Sequence, residues 1–213
     1  MKTRFFMIRH GFSEANNRHV FAGHSDFPLT DIGRAQAEKC AEALRDERID
    51  AIYSSDLSRA YDTARPIAAS RSLDIVAHKG LREIYAGEWE GLSFDELGEK
   101  YAESYGLWKD DISRAHPDGG ESIEELFDRI IATVCEIARE NEGKTLCITT
   151  HATPVRVVTV ASMGGSAADM SSVAWSPNAA ISLFEYEDGK ITAVYTGRAD
   201  HLGDICTKLP SNV

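Results

Sequence analysis

Residues 4–11 read Arg4-Phe5-Phe6-Met7-Ile8-Arg9-His10-Gly11, a short apolar run that ends abruptly in an arginine, a histidine and a glycine. An apolar run of this length predicts a buried strand. Residues just beyond the C-terminal end of such a strand project into the crevice where open α/β sheets hold ligands. An arginine beside an imidazole there lowers the proton affinity of the ring. It leaves the histidine neutral, nucleophilic and next to an anion receptor. The same three residues would also suit a surface pair in a loop, so the choice depends on what the rest of the chain supplies.

Two further stretches bear on it. Asp50-Ala51-Ile52-Tyr53 predicts a second short strand. Ser55-Asp56 would N-cap the following helix, whose apolar positions Leu57, Ala60, Ala64, Ile67 and Ala68 recur at helical spacing. Arg59 then falls in its first turn, where free N–H groups and the helix dipole favour anions and a guanidinium adds a planar fork suited to phosphate oxygens. Leu146-Cys147-Ile148-Thr149-Thr150 predicts a third strand running into His151, with Ala152-Thr153-Pro154 opening another helix. If these strands are parallel neighbours, His10, Arg59 and His151 emerge on one edge of the sheet. Glu83, between Leu81 and Ile84 in a loop rich in glycine and aromatics, is expected to be partly desolvated and so to serve as a proton donor near neutral pH. Taken singly, Glu83 also suits a surface acid and His151 a helix-capping histidine. Together the groups make a nucleophile, a charge clamp and an acid. Zinc held by His10, His151 and Glu83 is the competing reading, and two neighbouring arginines count against a bound cation.

The chain resembles the histidine phosphatase, or phosphoglycerate mutase-like, superfamily. The resemblance rests on six stretches in the family's order: Arg9-His10-Gly11 with Ser13 and Asn16; Gly23 through Asp26-Phe27-Pro28-Leu29-Thr30 with Gly33 and Gln36; Ser54-Ser55-Asp56-Leu57-Ser58-Arg59-Ala60 with Thr63-Ala64; Leu81-Arg82-Glu83 with Gly87 and Trp89-Glu90-Gly91; Pro117 through Gly119-Gly120-Glu121-Ser122; and Thr150-His151. It implies a three-layer α/β/α fold with a mostly parallel central sheet. It also implies a metal-independent, cofactor-free phosphomonoester hydrolase of the histidine acid phosphatase type, acting on small phosphorylated metabolites. His10 would become phosphorylated while Arg9, Arg59, His151 and Asn16 hold the phosphoryl oxygens, and Glu83 would protonate the leaving group and then activate water. Ser13, Gly23 and Ala152 are the further substrate-binding positions it implies.

Within that superfamily the mutases carry a Tyr shortly after the acid glutamate, a Lys beyond it and an adjacent Arg pair. Here the corresponding positions are Ala86 and Phe94, and no Arg-Arg pair occurs between Gly91 and Gly119. The chain therefore looks closer to the broad-specificity and α-ribazole phosphatases. A mutase-type phosphotransferase and a non-catalytic phospholigand-binding module are the alternatives, the second disfavoured because His10, His151 and Glu83 are all present. The resemblance departs at Phe12, where a polar or acidic residue is usual, and at Ala152, where glycine commonly follows the second histidine. Phe12 is either core packing or, with Phe21, Trp108 or Tyr85, part of an apolar pocket wall suited to aromatic or acyl leaving groups.

Composition bounds the rest. A chain of 213 residues, 43% hydrophobic, is expected to form one α/β domain over 1–213. A net charge of −11 disfavours nucleic acid, whose backbone needs a cationic surface. The apolar run at residues 5–8 is too short for a signal peptide or membrane span, so a cytoplasmic protein without membrane association is expected, as a monomer or homodimer. Cys40, Cys135, Cys147 and Cys206 are widely spaced, and at least the first three fall on predicted apolar faces, which favours buried thiols over disulfides or metal ligands. A helix is predicted from Thr30 to about Arg48 with Ile32, Ala37, Cys40, Ala41 and Leu44 inward, and a long one from the capping box at Ser122. Asp188-Gly189 between two apolar runs predicts a C-terminal hairpin, and 93–118 an insertion covering the active site.

Overall fold

Successive side chains of a strand point to opposite faces, so a run apolar at every position needs both faces covered. Phe5, Phe6, Met7 and Ile8 meet that condition. In the computed structural model, which describes residues 1–207, they lie in β1 (Thr3–Arg9) inside a six-stranded sheet. Strands β2 (Ala51–Ser54), β3 (Ile75–Ala77) and β4 (Thr145–Thr150) run parallel with β1, while β5 (Ile181–Glu187) and β6 (Lys190–Arg198) are antiparallel to their neighbours. The order across the sheet is β3-β2-β4-β1-β5-β6. Phe5 and Met7 join one core with helices α6 (Ile123–Glu140) and α7 (Ala152–Ser162). Phe6 and Ile8 join another with α2 (Asp31–Ala43) and α3 (Ser58–Ala69). The expected three layers and parallel centre are thus present. Residues 208–213 of the expected 1–213 unit lie outside the described residues.

The chain leaves β1 towards α2 on one face and leaves β4 towards α7 on the other. Adjacent strands whose connections diverge open a crevice between their C-terminal ends. Arg9 is paired with Thr150 in the β1–β4 register, which puts His10 and His151 side by side at that crevice. The predicted hairpin is present, with Asp188 (φ 50°) and Gly189 (φ 81°) both left-handed, as a two-residue type I′ turn requires. The capping box at Ser122 opens α6. Among the cysteines Cys40 and Cys147 are buried, Cys135 half-buried and Cys206 exposed, and all four are free.

Three local expectations are corrected. Helix α2 ends at Ala43, and Ile32 faces solvent, 47% exposed. Its buried stripe begins instead with Gly33 and Gln36, because the first turn of α2 lies against the backbone after β1. The Gln36 side chain accepts from the Phe12 N–H (2.8 Å) and donates to the Ile205 carbonyl (2.8 Å), so an amide takes a place a periodicity argument reserves for an apolar group. Helix α3 starts at Ser58 behind Leu57, which offers no capping side chain; the Ser55 hydroxyl is engaged with His151, Asp56 forms an ion pair with Arg82, and the Ser58 N–H donates instead to the Asp26 carboxylate (2.8 Å). Edge strand β3, Ile75-Val76-Ala77, is too short for an apolar period to mark it in the sequence.

The contact between α2 and the loop after β1 is backbone on backbone. A Cβ at Gly11 would lie 2.5 Å from the Gly33 carbonyl oxygen, and one at Gly33 2.1 Å from that of Phe12. Gly98, in helix α4 (Phe94–Lys100), has nothing within 4 Å of such a Cβ. Gly33→Ala should therefore cost about 1–3 kcal/mol of stability by urea unfolding, whereas Gly98→Ala should be neutral or stabilise by up to about 1 kcal/mol. Equal effects would mean that the close approach is not a constraint.

Candidate active site

His10 follows β1 directly, with its N–H bonded to the Thr150 carbonyl (2.8 Å) and its own carbonyl accepting from Asn178 Nδ2 (3.1 Å). Its ring Nδ1 lies 2.7 Å from the Gly11 carbonyl. A carbonyl can only accept, so Nδ1 carries the hydrogen and Nε2 keeps its lone pair. Arg9 donates through Nη1 to the Ser176 carbonyl (2.6 Å), and Arg59 through Nη1 and Nη2 to the carbonyls of Ser25 (2.8 Å) and Gly23 (2.7 Å). The Nε atoms of both arginines are buried without a partner among the described residues. The Gly23–Ser25 loop is held in turn by Glu90, whose carboxylate accepts from the N–H groups of His24 (2.7 Å) and Ser25 (2.7 Å).

His151 is fully buried at the start of α7, its ring edge-on to that of His10 with centroids 5.2 Å apart. Its Nε2 lies 2.8 Å from Ser55 Oγ, and its Nδ1 is buried with no partner. Glu83 is half-buried between the fully buried Leu81 and Ile84. Its carboxylate accepts from the N–H groups of Ile84 (2.9 Å) and Thr153 (3.3 Å). Arg129 of α6 fixes the backbone beneath it by donating to the carbonyls of Gly80, Arg82 and Glu83, each at 3.0 Å. Ser13 caps the short helix α1 (Glu14–Arg18). Asn16 Oδ1 accepts from Ser13 Oγ (3.0 Å) and Asn178 Nδ2 (3.1 Å), leaving the Asn16 NH2 group to donate elsewhere.

A cavity of about 730 Å³, open mouth included, is lined by Arg9, His10, Arg59 and Glu83 together with Ser13, Asn16, Gly23 and Ala152. Eight of the nine expected site residues thus meet at one cavity, and the ninth, His151, stands behind His10. Of the four aromatics considered as a wall, Phe21 and Trp108 line the cavity. Phe12 is half-buried away from it and Tyr85 faces solvent. Phe94, in α4, and Trp175 also line it and were not anticipated as wall residues. Nor were Ser55, Arg129 and Asn178 anticipated as supports. No periodicity marks them, because each acts by reaching across from another segment.

The electrostatics follow from burial. His10 is held well below the usual imidazole range, first by burial and then by the charges of Arg59 and Arg9. His151 is lowered likewise, by burial and then by Arg59 and His10. Burial also brings the Arg9 and Arg59 guanidinium groups down to about 10, so both remain charged at neutral pH. A neutral nucleophilic ring between two buried cations can receive a phosphoryl group in line while the cations take its oxygens.

A match to the histidine phosphatase superfamily (branch 1) spans residues 5–198. Phosphoserine phosphatase 1 of Hydrogenobacter thermophilus is 30% identical over 204 residues, covering 94% of this chain and 95% of that protein. The adenosylcobalamin/alpha-ribazole phosphatase of Salmonella typhimurium is 32% identical over 148 residues, 70% of this chain and 73% of that protein. Among solved structures, Bacillus stearothermophilus YhfR superposes with a TM-score of 0.89 at 26% identity, covering 94% of this chain and 99% of that one.

The two lowered histidines set a pH dependence of stability. An unfolded imidazole titrates near about 6.5, so below that pH the unfolded chain binds protons that the folded chain refuses. The stability contributed by each neutral ring is complete above about pH 6.5 and is lost as pH falls through the lower folded value. His151→Asn should make the fall in unfolding free energy below pH 6.5 shallower, by at most about 1.4 kcal/mol per pH unit. Parallel curves for the two proteins would show that His151 is not held neutral.

Proposed function

The chain belongs to the histidine phosphatase superfamily, and from that premise we propose that it hydrolyses small phosphate monoesters without a metal through a phosphohistidine at His10. The observation that carries this reading is the His10 ring: Nδ1 tied to the Gly11 carbonyl, Nε2 free, and two buried guanidinium groups beside it. His10 Nε2 attacks phosphorus, Arg9, Arg59 and the Asn16 amide take the equatorial oxygens, and the P–O bond to the alcohol breaks. Glu83 gives its proton to the departing oxygen. In the second step the same carboxylate takes a proton from water, which attacks the phosphohistidine and frees His10. The segment 93–118 covers one side of the site, a role supported by Phe94 and Trp108 in the cavity wall. Brief mixing with a ³²P-labelled monoester should give acid-labile label on His10 and none in His10→Ala, with chelators having no effect. Label on another residue, or activity only with added divalent metal, would overturn the mechanism.

Ser55 acts in this scheme as a positioning residue. Its hydroxyl accepts from the Leu57 N–H (3.3 Å), and the acceptor within reach of its own hydrogen is His151 Nε2. A hydrogen donated to Nε2 puts the His151 proton on Nδ1, the buried atom without a partner, which is then the donor to a phosphoryl oxygen. Ser55→Ala should lower kcat roughly 10- to 100-fold with KM little changed, and Ser55→Thr should restore most of it. Nitrogen NMR should show the Nδ1–H tautomer of His151 in the wild type and a mixture in Ser55→Ala. The same tautomer in both would leave Ser55 a merely structural group.

A further inference from the structure

Beyond the phosphoryl end, the cavity changes character. Its wall is built from Val20, Phe21, Phe94, Trp108 and Trp175, and the cationic side chains that line it are Arg9 and Arg59, both at the phosphoryl end. The rings are fixed by one another: Phe21 meets Trp108 edge-on at 5.0 Å and the fully buried Trp89 at 5.5 Å, while Trp108 and Trp175 lie 5.9 Å apart. One more cation stands nearby, out of contact with the cavity. The Arg156 guanidinium lies 4.1 Å from the centre of the Trp175 ring, donates through Nη2 to the Met170 carbonyl (2.7 Å), and has its Nε and Nη1 buried with no partner. Trp175 lines the cavity and Arg156 does not, so the indole covers the charge.

From this wall we infer that the enzyme's preferred substrates are monoesters of uncharged, apolar alcohols, aromatic or branched, rather than of amino acids or hydroxy acids. The inference rests on the phosphatase reading of the same site. A carboxylate on the leaving group would be desolvated against aromatic faces, whose quadrupole repels it, and among the described residues no cation lines the cavity outside the phosphoryl end to pair it. An ammonium would find aromatic faces, but one of them is backed by Arg156 at stacking distance, which opposes a second positive charge. An apolar alcohol meets neither penalty and gains from leaving water. Selectivity of this kind is set by what the pocket excludes as much as by what it holds.

Trp175 is the residue on which the choice turns. Removing its ring uncovers two guanidinium nitrogens that lack partners, converting the apolar wall into a carboxylate receptor. The test is kcat/KM for 2-phenylethyl phosphate, ethyl phosphate, L-phosphoserine and 3-phosphoglycerate, all with alkoxide leaving groups. It is run on the wild type, Trp175→Ala and the double variant Trp175→Ala/Arg156→Met, each checked for folding by circular dichroism. The wild type should favour 2-phenylethyl phosphate over the other three by roughly 10- to 100-fold. Trp175→Ala should lose at least 10-fold of that preference and gain on the two carboxylate esters, and the double variant should lose the gain. A wild type that hydrolyses L-phosphoserine or 3-phosphoglycerate as well as 2-phenylethyl phosphate overturns this inference and leaves the phosphatase reading intact. No gain in Trp175→Ala, or a gain that persists without Arg156, overturns the account of the covered charge. Hydrolysis of none of the four, with no label on His10, overturns the phosphatase reading and this inference with it.

Discussion

Two buried guanidinium groups that form no direct ion pair among the described residues, and feel Glu83 only from a distance, set the terms for the rest of the molecule. Taking a cation out of water costs several kcal/mol unless its donors are satisfied and its charge answered. Here backbone carbonyls meet part of the donors, Ser176 for Arg9 and Ser25 and Gly23 for Arg59, while the Nε atoms have no partner among the described residues. The remaining charge suits an anionic ligand. Because carbonyls rather than carboxylates hold these side chains, the loops carrying those carbonyls have to be rigid. Glu90 ties down the 23–25 loop through backbone N–H groups, and Arg9 itself reaches across to the backbone at Ser176. Burial first, and the nearby Arg59 and Arg9 charges second, hold the His10 ring neutral, and burial and Arg59 do the same for His151.

What could be read from the sequence was whatever local physics dictates. An apolar run apolar on both faces gives a central strand, Asp188-Gly189 gives a I′ hairpin, and Ser122 with Glu125 gives a reciprocal helix cap. His10, Arg59 and His151 were legible because each follows a strand or opens the helix after one, and the parallel order β2-β4-β1 brings such positions together. Glu83 was legible by its flanking Leu81 and Ile84, but what holds it was not. Arg129 lies 46 residues away on another element, and a guanidinium that serves three carbonyls leaves no trace in periodicity. Ser55 is marked in the sequence only by its place ahead of a helix. A serine ahead of a helix reads as a cap, and only the three-dimensional approach of His151 shows where its hydroxyl goes.

Ile32 and Gln36 show the same limit from the other side. Helical periodicity assigns the apolar residue inward, yet the loop after β1 presents an N–H at Phe12 that must be satisfied. A buried donor left unpaired costs about 1–3 kcal/mol, as much as an apolar side chain gains by burial, so an amide can hold a place in the buried stripe. The glycines at 11 and 33 let the two backbones come close enough for that bond, so one requirement explains three residues.

The division between hydrolysis and transfer back to an organic acceptor comes down to what the leaving-group side of the cavity can retain. An acceptor must stay bound and oriented after the first step to compete with water, and for a hydroxy acid that takes cations beside its carboxylate. The superfamily's mutases are expected to place polar and charged holders after the acid glutamate. In this chain Ala86 is fully buried, out of the cavity, with its N–H bonded to Glu90, and Phe94 presents a ring to the cavity. Segment 93–118, the proposed insertion, contributes Phe94 and Trp108 to the cavity lining. In the proposed mechanism an apolar wall would release a carboxylate readily and let water reach the phosphohistidine beside Glu83. On that reading the residues that shape the leaving-group side also decide that water is the second nucleophile.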